Sequence, residues 1–207
     1  MTAELGALYE AERARLLTLS NTPGISTGMH ASPVFGQGPE HPFLVLIGEA
    51  PGAEETKAGR PFVGKAGKQL DALLELANIP REAVFITNAV KYRPTTVSER
   101  SVRNRTPDKK EIAAALPLLR EELLLLKPAC IATLGNVPLL AILTLCGKEK
   151  GTIGMLHGAP LNVEIQGMET VLFPLYHPAG VIYNPSLLAV CEQDAAALGR
   201  FYAVNKR

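Results

Sequence analysis

An apolar run from Phe43 to Ile47 empties directly into Gly48-Glu49-Ala50-Pro51-Gly52, and a helix-like segment begins again near Gly64. Five consecutive apolar residues bounded by a Gly/Pro turn read as a strand buried on both faces. In open α/β sheets the loop leaving the carboxyl end of such a strand is where ligands are held. A carboxylate inside that turn therefore marks Glu49 as a candidate site residue. The continuation Gly59-Arg60-Pro61-Phe62-Val63-Gly64 sets an aromatic between rigid punctuators in a long loop, where packing alone rarely needs one.

The remainder of the chain alternates strand-like and helix-like segments. Residues 3–18 form a short amphipathic helix with Leu5, Leu8, Leu16 and Leu17 towards the body, and Ser20 to Pro42 is an irregular loop. Lys65 to Asn78 carries Leu70, Leu73, Leu74 and Ala77 at helical spacing. Val84 to Thr87 reads as a short second strand, followed by a polar stretch from Lys91 to Thr106 that contains Arg93, Arg100, Arg103 and Arg105. Thr106-Pro107-Asp108 opens a helix that continues through Leu116 to Leu126, and Pro117 is expected to kink or divide it. Cys130 to Leu134 is a third buried strand and Val137 to Leu145 a short helix. Leu161 to Ile165 and Thr170 to Leu175 make a hairpin through Gln166-Gly167, and Ser186 is placed to cap a last helix through Tyr202. This alternation argues for a parallel sheet with helices on both faces.

Composition narrows the function classes. A net charge of +1 leaves no bulk basic excess, so any nucleic-acid footprint must be local. The opening MTAELGALYEAERARLL mixes acids through its apolar residues and is expected not to be a signal peptide. No apolar run approaches the roughly 20 residues needed to cross a bilayer, and a cytoplasmic, intracellular protein with no membrane partner is expected. The three cysteines, Cys130, Cys146 and Cys191, are widely separated and show neither disulfide-framework nor metal-like spacing. No Gly-x-Ser-x-Gly elbow or phosphate loop occurs, which disfavours a small-molecule hydrolase.

Four motifs in order, GEAPGAEE from Gly48, GRPFVGKAG from Gly59, ITNAVKYRP from Ile86 and HPAGVIYNPS from His177, resemble family 4 of the uracil-DNA glycosylase superfamily. The resemblance runs from about Val34 to the final helix. It implies one domain over residues 1–207 with the three-layer α/β/α sandwich of that superfamily, a mostly parallel central sheet, and all four motifs at the sheet's carboxyl edge. It also implies a monomer that acts on uracil-containing DNA, single- or double-stranded, and leaves an abasic site.

Each motif then gains a role by resemblance. His177 donates a hydrogen bond to the charge developing on uracil O2, although by itself it would be read as a strand-end histidine. Asn88, otherwise a turn residue, reads the N3–H and O4 edge of uracil and rejects cytosine. Phe62, otherwise a loop aromatic pinned to the core, stacks on the flipped base. Glu49, otherwise a solvated acid, holds the attacking water, because Ala50 occupies the place where other branches carry a water-activating aspartate. Glu55 aligns with the residue that blocks the thymine methyl. Gly180, Val181, Ile182 and Tyr183 lie in the loop expected to enter the minor groove, and Lys65, Lys91 and Arg93 are candidate phosphate contacts.

Family 4 enzymes usually carry a four-cysteine iron–sulfur cluster, and this chain departs from that pattern. LLTLSNTPGISTGMHAS before Val34 holds no cysteine, Tyr92 stands where the third ligand is expected and Ala113 where the fourth is. Cluster binding needs thiolates, so no iron–sulfur cluster and no other cofactor is expected. A catalytically weak or inactive uracil-DNA-binding protein of the same fold is the alternative. Covalent trapping, which one branch achieves through a histidine in the loop after the asparagine motif, is disfavoured because Arg103-Asn104-Arg105 stands there.

Overall fold

A computed structural model describes residues 2–20, 32–98, 101–148 and 151–206, with the side chains of 17–20 outside that description. The expectation for the side chain of Leu17, most of the loop before Val34, and Arg100 fall outside the described residues. Helix α1 spans Ala3–Ser20, β1 Leu44–Gly48, α2 Ala53–Ala58, α3 Lys65–Leu76 and β2 Val84–Asn88. Next come β3, Thr95–Ser98, β4, Ser101–Asn104, α4, Lys109–Leu126, β5, Cys130–Leu134, and α5, Asn136–Leu145. The chain finishes with α6, Ile153–Leu156, β6, Leu161–Ile165, β7, Met168–Leu175, α7, Ala179–Tyr183, and α8, Leu188–Asn205.

Five strands form one sheet in the order β2-β1-β5-β7-β6, parallel except for the antiparallel edge strand β6. Because successive strand residues face opposite sides, β1 serves two cores at once. Val45 and Ile47 pack with Leu5 and Tyr9 of α1, Leu119 and Leu123 of α4, and Leu139 and Ile142 of α5. Leu44 and Leu46 face the other way, towards Leu70 and Leu74 of α3 and Leu198 and Tyr202 of α8. The result is the expected α/β/α layering, with the carboxyl ends of β1, β2, β5 and β7 on one edge.

The local chemistry follows the expected signals in most places. Gly64 is the N-cap of α3, and Gln166 and Gly167, at φ 49° and 83°, close the β6–β7 hairpin in the left-handed region. Asp108 caps α4, its side chain accepting from the Lys110 and Glu111 amides, while Glu111 returns to the Asp108 amide in a capping box.

Four expectations need correction. Pro117 does not divide α4, which runs unbroken through 18 residues around it. Leu118, Leu119, Leu123 and Leu126 are buried after it, and tertiary packing of that face outweighs the local cost of proline, about 3 kcal/mol. Ser186 does not cap the last helix, whose N-cap is Leu187 with no side-chain cap hydrogen bond. Ser186 lies within a preceding 3-10 turn, Pro185–Leu187, capped by Asn184, whose Oδ1 accepts from the Ser186 amide and hydroxyl. The polar stretch after Lys91 contains the β3–β4 ribbon. The segment from Ala179 to Asn184, read as a loop, contains the short helix α7.

Candidate active site

The loops leaving β1, β2 and β7 enclose a cleft of about 510 Å³. Its lining brings together residues far apart in the chain: Ala50, Glu55 and Phe62 after β1, Asn88 at the end of β2, His177 after β7, and Ile182 of α7. Lys65, exposed at the start of α3, and Tyr183, 86 % exposed, complete the rim.

Asn88 is 2 % exposed and pairs in register with Gly48 of β1. Beyond this pair the chain stays tied to β1, because the amides of Ala89 and Val90 donate to the carbonyls of Gly48 and Glu49 at 2.8 and 3.1 Å. Phe62 is held from several directions. Its φ of 53° is strained for an aromatic residue, and the Arg81 guanidinium fixes its carbonyl at 3.0 Å. A Cβ at Gly67 would lie 2.0 Å from that same carbonyl, so only glycine lets α3 approach here. The Phe62 ring lies 6.1 Å from the His177 ring, centroid to centroid, at 30° between planes.

His177 Nδ1 accepts the Ala179 backbone N–H at 3.1 Å. That bond places the neutral ring's proton on Nε2. Burial also pushes the imidazole pKa below its ordinary value, so the neutral form is favoured. The ring is therefore a neutral donor.

Glu55 ties the walls of the cleft together. Its Oε1 accepts from the amides of Val63 and Gly64 at 3.0 and 2.8 Å, and its Oε2 from Gly52 at 3.1 Å. One carboxylate thus joins both ends of the Gly52 to Gly64 segment. Glu49 sits beside the lining rather than in it, partly buried, with a hydrogen bond to Thr106. Burial raises its pKa, opposed by that bond.

The candidate phosphate contacts separate. Lys91 does not reach solvent: its side chain is 2 % exposed and its ammonium lies 2.6 Å from Glu122 Oε2 in the interior. Lys91 is therefore not a phosphate contact, because its charge is already paired where no phosphate can approach. Arg93 is partly exposed and donates through Nε to Asn104 Oδ1 at 2.6 Å. Gly180 and Val181 belong to α7 but lie outside the cleft lining, unlike Ile182 and Tyr183.

Sequence reasoning passed over Asn104, which reaches the cleft from β4, and Thr106, which holds Glu49. Their only local signal was membership of a polar stretch, since the ribbon that carries Asn104 lacks alternating apolar residues.

The chain matches the family model of the uracil DNA glycosylase superfamily over residues 35–199. It is 38 % identical over 161 residues to a type-4 uracil-DNA glycosylase of Pyrobaculum aerophilum, covering 78 % of this chain and 79 % of that protein. Identity to a type-4 uracil-DNA glycosylase of Sulfurisphaera tokodaii is 36 % over 173 residues, covering 83 % of this chain and 76 % of that protein. For the type-4 enzyme of Thermotoga maritima it is 38 % over 153 residues, covering 74 % and 73 %. A cleft at the parallel strands' carboxyl ends, lined by Asn88, Phe62 and His177, accompanies that similarity, and the chain belongs to the uracil-DNA glycosylase superfamily.

Proposed function

We propose that this protein is a uracil-DNA glycosylase, acting as a monomer on single- or double-stranded DNA inside the cell. The convergence of Asn88, Phe62 and His177 on one cleft carries the reading. The target nucleotide must leave the stack to enter such a cleft, and a mispaired uracil costs least to extrude. Phe62 offers a ring for stacking, and the Asn88 amide presents one donor and one acceptor to the uracil edge. Cytosine reverses that pattern and leaves polar groups unpaired.

The N1–C1′ bond stretches towards an oxocarbenium-like sugar and a uracil anion. The Nε2–H of neutral His177 stabilises the charge on O2, an oxyanion-type interaction that does not require a cation in a partly buried site. Glu49 polarises water for attack at C1′; the C–O bond forms as N1 departs with the bonding pair, and a proton returns to the departing base. Glu55 guards the thymine methyl position. Lys65 and Arg93 contact phosphates, while Ile182 and Tyr183 fill the gap left by the flipped base.

The chain works without an iron–sulfur cluster in this reading. Its three cysteines cannot supply four thiolates, and two of them serve the opposed cores: Cys130 packs with the α3 and α8 face and Cys146 against the other. Tyr92, in place of a ligand, is buried with Leu16 and Val90 against Ile112 and Ala115, so apolar packing occupies that region. Beside it Arg105 binds Glu111 through both terminal guanidinium nitrogens, Nη1 and Nη2, at 2.6 and 2.8 Å. No step of the chemistry uses a metal.

The test is alkaline strand cleavage of a single-stranded oligonucleotide carrying one uracil, with and without a chelator. Chelator-insensitive cleavage that Asn88→Ala abolishes is the expected result. Tight binding with no release of uracil overturns the roles given to Glu49 and His177 and leaves a binding protein of the same fold.

A further inference from the structure

Behind the cleft four side chains, from α1, β2, α4 and the segment just after β2, form a buried polar cluster. The Lys91 ammonium donates to Glu122 Oε2 at 2.6 Å, to Thr87 Oγ1 at 2.6 Å and to the backbone carbonyl of Asn88 at 2.7 Å. All three of its hydrogens have an acceptor. Thr87 donates onward to the Glu122 carboxylate at 3.1 to 3.2 Å, and the Tyr9 hydroxyl of α1 donates to Glu122 Oε1. Lys91 is 2 % exposed, and Thr87 and Glu122 are at 0 %.

A buried ion pair rarely stabilises a fold more than apolar packing of the same volume. What a fully satisfied network does supply is a fixed geometry. Here the fixed object is the Asn88 peptide, whose side chain lines the cleft while its carbonyl points to Lys91. The opposite flank of the strand end is held by β1 through the Gly48 and Glu49 carbonyls. The ammonium charge is matched by Glu122, so its contribution is to direction rather than to attraction of DNA.

Building on the glycosylase reading above, we infer that Lys91 is a positioning residue for base discrimination. It holds the Asn88 carbonyl from inside the fold and thereby sets the direction in which the Asn88 amide meets the base. Loss of this contact leaves the cleft and the phosphate contacts in place but lets the amide tilt, and a tilted amide loses the paired contacts that set uracil above cytosine.

The experiment compares wild type, Lys91→Met and Lys91→Met/Glu122→Met in the full chain. Binding is measured well below the melting temperature to single-stranded oligonucleotides carrying one 2′-fluorinated deoxyuridine or deoxycytidine, which resist glycosidic cleavage. Wild type is expected to prefer uracil, and both variants to lose about tenfold or more of the uracil-to-cytosine affinity ratio. The cytidine affinity and its salt dependence should stay unchanged, since no phosphate contact is removed. A purely structural role lowers the folded fraction or both affinities together and leaves the ratio intact. The double variant buries no unpaired charge and carries the test if the single variant does not fold. A folded double variant with the wild-type ratio overturns the inference alone. Equal wild-type affinity for the two oligonucleotides overturns the glycosylase reading, and this inference with it.

Discussion

Gly48 and Asn88 face each other in register across β1 and β2, and a Cβ on Gly48 would lie 2.4 Å from Asn88 Oδ1 and 2.6 Å from two carbons of the Phe62 ring. Glycine is needed here for close approach, since both side chains fold over its backbone. Gly48→Ala must push aside the Asn88 amide, the Phe62 ring, or both. Phe62 is 7 % exposed and already strained, so the amide yields first. The expected outcome is a loss of about 10²-fold in the single-turnover rate of uracil excision, the scale of a roughly 1 Å misplacement. Overpacking should cost only about 1–3 kcal/mol of stability, measurable by thermal unfolding. A variant with wild-type rate would remove Asn88 from base reading.

His177 should work as a neutral donor throughout the neutral range. Its folded pKa is depressed, so the native state binds fewer protons than the unfolded chain just below the ordinary value of about 6.5. The stability that follows is fully present above that value and is lost as pH falls through it towards the folded pKa. His177→Gln cannot charge, and should lose less stability than wild type over the same interval. Its kcat should fall by about 10²–10³-fold, as for loss of one oxyanion donor. Chemical denaturation and single-turnover kinetics at matched pH check the two effects separately.

The sheet was legible because its signals are local. Val45 and Ile47 alternate with Leu44 and Leu46, β5 was read with its observed ends, and Gln166-Gly167 marks the hairpin turn where it lies. The site was legible through its motifs, which carry Asn88, Phe62 and His177 to one edge. What escaped depends on partners distant in sequence. Lys91 in a polar stretch reads as solvated, yet Glu122, 31 residues on, meets it in the interior. Pro117 carries a local penalty that only the tertiary burial of Leu118, Leu119 and Leu123 reveals as affordable. Neither periodicity nor composition exposes the β3–β4 ribbon, whose Val97 and Val102 face each other in register and remain exposed.

Glu55 has two effects that can be ranked. Shortening it could admit a thymine methyl, but it also releases the Gly52, Val63 and Gly64 amides from their shared carboxylate. Each partly buried amide left without its acceptor costs about 1–3 kcal/mol at most, and both walls of the cleft move together. Loss of order should therefore win. Glu55→Ala is expected to lower the uracil rate by at least about tenfold and to depress the melting temperature, with no compensating rise in thymine excision. Parallel assays on uracil and thymine opposite guanine decide the matter, and a thymine rate that climbs while the uracil rate holds would make Glu55 a steric gate alone.

Glu49 should trade stability for function in a way that pH exposes. Burial raises its folded pKa and the Thr106 hydrogen bond only partly opposes that rise. A carboxyl whose folded pKa lies above its unfolded value, about 4.3, favours folding when protonated. That contribution is fully present below the unfolded pKa and is lost as pH rises through the folded one. At neutral pH the ionised Glu49 is thus a burden on the fold. Glu49→Gln should raise the unfolding midpoint at neutral pH, with the gain shrinking to nothing as pH drops below the unfolded value. Excision should meanwhile fall by about 10²–10⁴-fold, the range of general acid–base contributions. The acid limb of kcat/KM in the wild type should lie above the ordinary glutamate range, because the water-polarising form is the ionised one. If Glu49→Gln instead destabilises the protein at neutral pH, the Thr106 bond outweighs burial, and the acid limb must move below that range.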